Sequence, residues 1–438
     1  MEHELKRLCI FASVAAASAV LSGQAGAAGF ALLEQNASGL GNAYAGSAAV
    51  AADASTIFFN PAGLTLLPGT QVVVAGAGID IQTQFNGSAS QTQFPPSPPA
   101  PPGTVPLGTN TGGNAGGWSF VPSLYFSAPV GDRWAVGVGV GAPFGLKTDY
   151  EANWMGRFLG IESEVKTVNI NPSVAFKVND TVSLGAGINW QQAKATLTNA
   201  TLIGLSTEGL TTLDANDDAW GWNVGALFKL SPDTRVGVSY RSALNYTLNG
   251  SVTTTTSTGS VVSAGTFPAT ADIKFPDMAL LSMTQQLGEK WQLLGDVQYT
   301  HWGTIGTINV VNANTGQTAD QLALNFQDAW RIALGVNYSL SSDWTLRGGL
   351  AWDQSPVTDQ NRTVRLPDSD RYWVALGAQY KFGKGGALDF GYAHLFVPSP
   401  SINQTKQSSL GPLTITNNAT GSYDTSIDIF GVQFTWTF

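Results

Sequence analysis

The sequence predicts an all-β chain: a 14-stranded antiparallel transmembrane β-barrel with an N-terminal plug segment in its lumen. Three observations predict it. From Thr70 onward, segments of about 10 to 14 residues alternate apolar and polar side chains, the length and period of barrel-spanning strands. Short turn-rich connections alternate strictly with long polar ones, which is the arithmetic of successive hairpins. The composition is divided: only 12% of the 438 residues are charged, about half the usual globular share, although just 43% are hydrophobic. Mean hydropathy is accordingly only +0.03, far too low for a helical membrane protein. Outward apolar and inward polar residues on the same strands average to such a value.

The elements follow in chain order. Lys6 and Arg7 precede a short apolar run, Leu8 to Leu21, and Ala25-Gly26-Ala27 follows as a small-residue cleavage site, so residues 1–27 read as a secretory signal peptide. The run is too short for a membrane helix. Its removal takes away the single cysteine, Cys9, and with it disulfide and thiolate chemistry. Two charges of each sign leave with it, so the net charge stays at −9 and a nucleic-acid partner, which requires a basic face, is not expected.

Residues 28–69 are rich in Ala, Gly, Ser and Asn and lack a sustained period of 2. Their apolar members, Phe30, Leu32, Leu33, Ile57, Phe58, Phe59 and Leu64, favour packing against something, so the segment reads as a plug more than as a free periplasmic tail. A fourteen-stranded lumen would otherwise be an open aqueous channel.

Residues 70–438 form the barrel. The clearest strand places Trp330, Ile332, Leu334, Val336 and Tyr338 on one face against Arg331, Ala333, Gly335, Asn337 and Ser339 on the other. Six tight turns start at Pro129, Val178, Ser231, Gly288, Ser341 and Gly383. Seven long loops are expected near 82–117, 147–162, 196–217, 249–271, 303–323, 354–369 and 397–423, the first carrying the stiff polyproline run 95–102. Together these connect fourteen strands, from Gln71 to a last strand at Asp428 to Phe438. Aromatic residues at strand ends, including Trp118, Trp134, Trp220, Trp291, Trp302 and Trp344, suit a bilayer interface and disfavour a secreted soluble β-protein. The closing face of Val432, Phe434, Trp436 and Phe438 resembles the signal read by the outer-membrane assembly machinery.

Three stretches carry a family resemblance. Residues 29–64 (GFALLEQNASGLGNAYAGSAAVAADASTIFFNPAGL), with Asn60-Pro61-Ala62, resemble the N-terminal hatch of the FadL-type long-chain fatty-acid and hydrocarbon transporters of Gram-negative outer membranes. Residues 325–373 are similar to that family's C-terminal barrel strands, and Asn153-Trp154-Met155-Gly156-Arg157-Phe158 to a common loop motif. The resemblance implies capture of a hydrophobic molecule on an extracellular groove, a lumenal pocket, hatch movement and sideways exit through a kink in the third strand. Pro143, between Gly141 and Gly145, lies where that kink is expected; a proline there cannot donate to a ladder, and it marks either the kink or the strand's end. Phe30 stands third in the expected mature chain, where the family's Phe reaches the pocket. The Asn60-Pro61-Ala62 turn is expected to position the hatch without contacting substrate.

Further candidates come from strand parity and loop content. Arg241, Arg331, Arg347 and Lys381 fall on the lumenal face, where they either meet a ligand carboxylate or pair with Asp328, Asp353, Asp370 or Asp389. Trp373 is lumenal too, as pocket lining or packing. Trp154, Met155, Phe158, Leu202, Ile203, Leu205 and Leu210, with Arg157 nearby, are candidates for the capture groove. An enzyme is not expected: His301 and His394 are the only histidines after the signal segment, no metal-ligand spacing occurs, and no cofactor is implied. The expected function is outer-membrane uptake of hydrophobic compounds, foremost long-chain fatty acids, with outer-membrane lipid as a partner. Aromatic or alkane hydrocarbons, a general porin and an adhesin are the alternatives.

Overall fold

The computed structural model describes residues 29–94, 103–204, 206–256 and 259–438. The expected signal peptide, the polyproline run and Leu205 lie outside them. Fourteen strands build one closed antiparallel wall: β1 (Gln71–Phe94), β2 (Gly117–Val130), β3 (Trp134–Gly141), β4 (Glu162–Lys177), β5 (Val182–Leu202), β6 (Glu208–Lys229), β7 (Thr234–Arg241), β8 (Met278–Leu287), β9 (Trp291–Thr300), β10 (Ala329–Ser339), β11 (Trp344–Asp353), β12 (Arg371–Phe382), β13 (Gly386–Val397) and β14 (Leu413–Thr437). Each pairs with its chain neighbours, and β1 closes on β14 from Gln71↔Thr437 to Phe94↔Thr414. Closure removes the free edges of the sheet except at one break in the wall.

Alternation sorts the side chains as the period of 2 requires. On β10, Trp330, Ile332 and Leu334 face outward and are exposed, Leu334 by 66%, while Arg331 and Ala333 are buried inside. Trp134, Trp291 and Trp344 stand beside the tight turns at one rim, and Trp118, Trp220 and Trp330 near the other. These are the two aromatic girdles of an outer-membrane barrel. Trp302 corrects the expectation of an interfacial ring: it is only 1% exposed and packs inside.

The long loops also need correcting. β1, β5, β6 and β14 run for 24, 21, 22 and 25 residues, about twice what a bilayer requires. The last strand thus begins at Leu413, not near Asp428. Further strands, Leu244–Thr256 with Val261–Phe275, Thr307–Asn312 with Thr318–Ala323, and Ser401–Leu410, raise a β-crown above the wall. The Gly-, Ser-, Thr- and Asn-rich sequence there reads as loop, although one face turns apolar side chains such as Leu244, Tyr246 and Leu248 inward and β-branched Thr favours strand.

Residues before β1 fold into three short helices, α1 (Ala37–Leu40), α2 (Ser47–Val50) and α3 (Thr56–Phe59), followed by a 3-10 helix, Pro61–Leu66. This hatch segment is almost wholly buried against the inner wall.

Candidate functional site

The wall is interrupted at one place. β3 pairs with β2 only as far as Val140↔Leu124 and with β4 as far as Gly141↔Asn169. Ala142 to Phe144 leave both ladders, and Gly145–Asp149 rejoins β4 alone, from Gly145↔Lys166. The outer part of β2, Gly117 to Ser123, pairs with β1 and has no strand on its other side. Pro143 sits at the centre of the break, where its missing N–H costs nothing.

The start of the hatch occupies that break. Leu32 N–H donates to Pro143 O and Gly145 N–H to Phe30 O, each at 2.8 Å, so Ala31 and Phe144 face each other as an antiparallel pair. Gln35 reaches both sides of the gap: its Nε2 donates to Ala142 O at 2.8 Å, and its carbonyl accepts from Ser123 Oγ and Tyr125 OH of β2. Thr167 of β4 holds Phe144 from behind, accepting its N–H at 3.1 Å and donating to its carbonyl at 2.6 Å.

Phe30 fills the centre of an aromatic cluster. Its ring lies 4.7 Å from that of Trp302, 5.2 Å from Phe275, 5.8 Å from Phe144 and 6.5 Å from Phe326. Beside it is a cavity of about 100 Å³ lined by Leu146, Val165, Leu213, Leu248, Ile273, Leu324 and similar side chains. Among the described residues, Ser163, Lys194 and Arg365 are its only polar lining residues. Toward the extracellular side lies a larger cavity of about 560 Å³, into which Phe158, Leu202, Thr254, Asp320, Lys406 and Arg365 also face. Leu197, Leu213, Val310, Leu322 and Arg365 line both.

Asn60 anchors the hatch to the wall. Fully buried, it donates from Nδ2 to Ala48 O at 2.7 Å and to Ala226 O of β6 at 3.0 Å, while Oδ1 accepts from Ala62 N at 3.1 Å. Pro61 opens the 3-10 helix behind it. The approach is so close that a Cβ on Gly225 would lie 2.0 Å from Asn60 Oδ1, so only glycine fits at that wall position.

The lumenal cations act on the same contact. Arg331 donates to Ala43 O at 2.6 Å, lies 3.6 Å from Asp296 and covers the Trp373 ring at 5.3 Å. Arg347 pairs with Asp389. Arg241 donates to Phe58 O at 3.1 Å and to Asn189. Trp373 packs edge-on to Tyr44 of the hatch. Arg331, Arg347 and Trp373 are therefore committed to protein partners, and none of them lines the two cavities. Lys381 is exposed at the rim of β12.

The loop candidates divide. Trp154 is not presented to solvent as a groove residue; it is 0% exposed, stacks on Tyr150 at 3.9 Å and 7°, and donates to Gly160 O. Met155 is buried beside it. Arg157 clamps Glu208 through two bonds of 2.7 and 2.8 Å and covers Phe158. Phe158 and Leu202 do line the outer cavity. Sequence reasoning missed Phe144, Phe275, Phe326 and Arg365 and assigned Trp302 to the membrane interface; all five belong to the cavity region.

Residues 18–438 match the family described as outer membrane protein transport protein (OMPP1/FadL/TodX). The chain is 31% identical to outer membrane protein P1 of Haemophilus influenzae, over 97% of this chain and 98% of that one. It is 28% identical to the long-chain fatty acid transport protein of Escherichia coli, over 91% and 94%. Among solved structures, a Pseudomonas aeruginosa FadL homologue superposes with a TM-score of 0.84 at 24% identity, covering 94% of this chain and all of that one. The Ralstonia pickettii toluene transporter TbuX superposes at 0.64 with 17% identity, over 92% and 99%.

Proposed function

Because the chain belongs to the OMPP1/FadL/TodX family, transporters of hydrophobic compounds in the Gram-negative outer membrane, we propose that it takes up long-chain fatty acids by lateral exit. The ligand is captured at the outer cavity, where Phe158 and Leu202 offer apolar contact, and passes to the Phe30 cavity. It displaces the hatch start and leaves through the gap at Gly141, Pro143 and Gly145 into outer-membrane lipid. An apolar molecule gains nothing from a polar pore, and a side exit keeps it out of water.

One observation carries this reading: Phe30 both lines the apolar cavity and is hydrogen-bonded through its backbone to the segment that breaks the wall. Filling the cavity and opening the gap are thereby the same movement. Arg331, Arg347 and Trp373 serve it by holding the hatch region, Asn60, Pro61 and Ala62 by anchoring it, and Trp154, Met155 and Arg157 by shaping the loop over the cavity. The β14 face of Val432, Phe434, Trp436 and Phe438 is assigned to lipid and to the assembly machinery. The chain acts as a transporter and not as an enzyme.

Uptake of aromatic or alkane hydrocarbons is the second reading, favoured by the almost wholly apolar lining of the inner cavity. Uptake of labelled oleate and toluene by a deletion strain and its complement separates the two. Normal uptake by both Pro143→Ala and a variant lacking residues 28–69 beyond the signal segment would overturn lateral exit. A large steady current across a planar bilayer would favour an open porin instead.

A further inference from the structure

Three outward-facing lysines gather at one place on the outer rim of the wall. Lys166 of β4 and Lys194 of β5 are Cα partners. Both point away from the lumen, because the alternate residues Thr167, Ala193 and Ala195 are buried inside. Lys147, in the segment that rejoins β4 beyond the break, lies opposite Glu164. It too faces outward, since Thr148 next to it donates inward to Arg365 O at 3.0 Å. The three lysines thus hold neighbouring positions on three adjacent strands, directly beside the interruption at Ala142 to Phe144.

Like charges directly opposite each other destabilise a sheet unless something neutralises them. The wall supplies little here: Glu164 takes Lys166 Nζ at 2.8 Å, and among the described residues Lys147 and Lys194 form no ion pair. Asp149, Glu162 and Asp214 stand further out along the same strands than Lys166 and Lys194, with Asp214 engaged by Thr196 Oγ1 at 2.6 Å. Toward the membrane the outward residues become apolar and exposed, among them Ile170, Ile188 and Trp220. The lysines therefore lie between a lipid-facing surface and an acidic row above it, which is the level of lipid headgroups. The far side of the rim has the opposite character. Asp328, Asp370 and Asp428 face outward there, accepting from Tyr299, Trp352 and Tyr392, and among the described residues no lysine or arginine stands on the outward face of those strand ends.

The geometry points to Lys147, Lys166 and Lys194 as a docking site for a phosphorylated lipid of the outer leaflet. Its phosphate sits between the opposed lysines and relieves their repulsion, while its acyl chains run down β4 and β5 past Ile170 and Ile188. Lysine suits the task because its ammonium is a compact point charge on a flexible stem that follows a headgroup. The acids above repel the same phosphate and so fix its depth. The site holds this lipid beside the one interruption of the wall, and it stands whether or not that interruption is the exit of a transported molecule.

The test measures equilibrium binding of bisphosphoryl lipid A and of its phosphate-free counterpart to the purified, folded full chain in neutral detergent. Wild type is expected to prefer the phosphorylated lipid. In Lys166→Gln with Lys194→Gln the Kd for that lipid should rise about 10- to 30-fold, with the phosphate-free lipid unchanged within about twofold. Lys166→Arg with Lys194→Arg keeps the charge and should bind like wild type. Lys194→Gln alone carries the same comparison should the pair not fold. Equal binding of the two lipids by wild type, or an unchanged Kd in the Gln variants, would overturn the assignment. Displacement of the lipid by millimolar inorganic phosphate would overturn it as well, since the lysines would then hold a small anion and not a lipid.

Discussion

The carbonyl of Phe30 accepts a 2.8 Å hydrogen bond from the amide of Gly145, joining the start of the hatch to the segment where the third wall strand breaks. The ring of the same Phe30 lies among Trp302, Phe275, Phe144 and Phe326. A single residue thus links cavity, hatch and wall gap.

Locking the hatch to the break should stop transport. Ala31 and Phe144 form an antiparallel pair flanked by the bonds to Pro143 and Gly145, a placement whose Cα separation suits a disulfide. With Cys9 the chain's single cysteine and within the expected signal segment, Ala31→Cys with Phe144→Cys provides the only pair in the exported chain. Oleate uptake is expected to fall about tenfold or more when oxidised and to return with reductant. Equal uptake in both states would mean that the hatch start does not move.

Loss of the Asn60 side chain should loosen the plug. Asn60→Ala removes three buried hydrogen bonds and leaves the Ala48 and Ala226 carbonyls without that donor, a cost of about 2–4 kcal/mol to hatch docking. Single-channel recording should then show openings that wild type lacks. Gly225→Ala should do the same from the wall side, because its Cβ would sit 2.0 Å from Asn60 Oδ1. A silent conductance trace from both variants would place the anchoring elsewhere.

Docking of the hatch should weaken with rising pH through Glu34. This carboxyl is buried in the lumen facing Arg371, Asp353 and Arg331, and burial above all pushes its pKa up from 4.5 to about 7. The docked state therefore holds the proton more tightly than a released, solvated hatch. Docking is strongest below pH 4.5 and is lost progressively up to about pH 7, by roughly 3 kcal/mol in all. A spin label at Ala52→Cys should grow more mobile from pH 5 to pH 8, and Glu34→Gln should flatten that profile; an unchanged slope in the variant would assign the effect to another group.

Trp154 should matter for the loop and not directly for the ligand. Trp154→Ala removes a fully buried ring stacked on Tyr150 and should cost the loop about 3–5 kcal/mol, exposing residues 142–161 to external protease. Trp154→Phe, which retains a stacking ring, should remain resistant. Weakened oleate binding with an intact, protease-resistant loop would return the indole to the capture site.

The strand count, the inside-out alternation and the six tight turns were legible in the residues because a period of 2 and turn chemistry are local properties. The Asn60-Pro61-Ala62 turn was legible for the same reason. The crown strands were not, since their inward apolar side chains, Leu244, Tyr246, Leu248 and Val252, lie in Gly-, Ser- and Thr-rich sequence that reads as loop. Trp302 sat at a strand end and was indistinguishable, in sequence, from a membrane anchor. Only barrel closure decides that Phe30, Phe144, Phe275, Trp302 and Phe326 meet, because it brings together positions nearly 300 residues apart. The same holds for the lumenal arginines. Parity assigns Arg331 and Arg347 to the interior, but whether a cation there is spent or available depends on which acid the curved wall brings within reach, from β9 for Arg331 and from β13, two strands away, for Arg347. Pairing across the wall gives Arg347 to Asp389, while folding of the loop onto β4 and β5 leaves Arg365 with neutral acceptors alone.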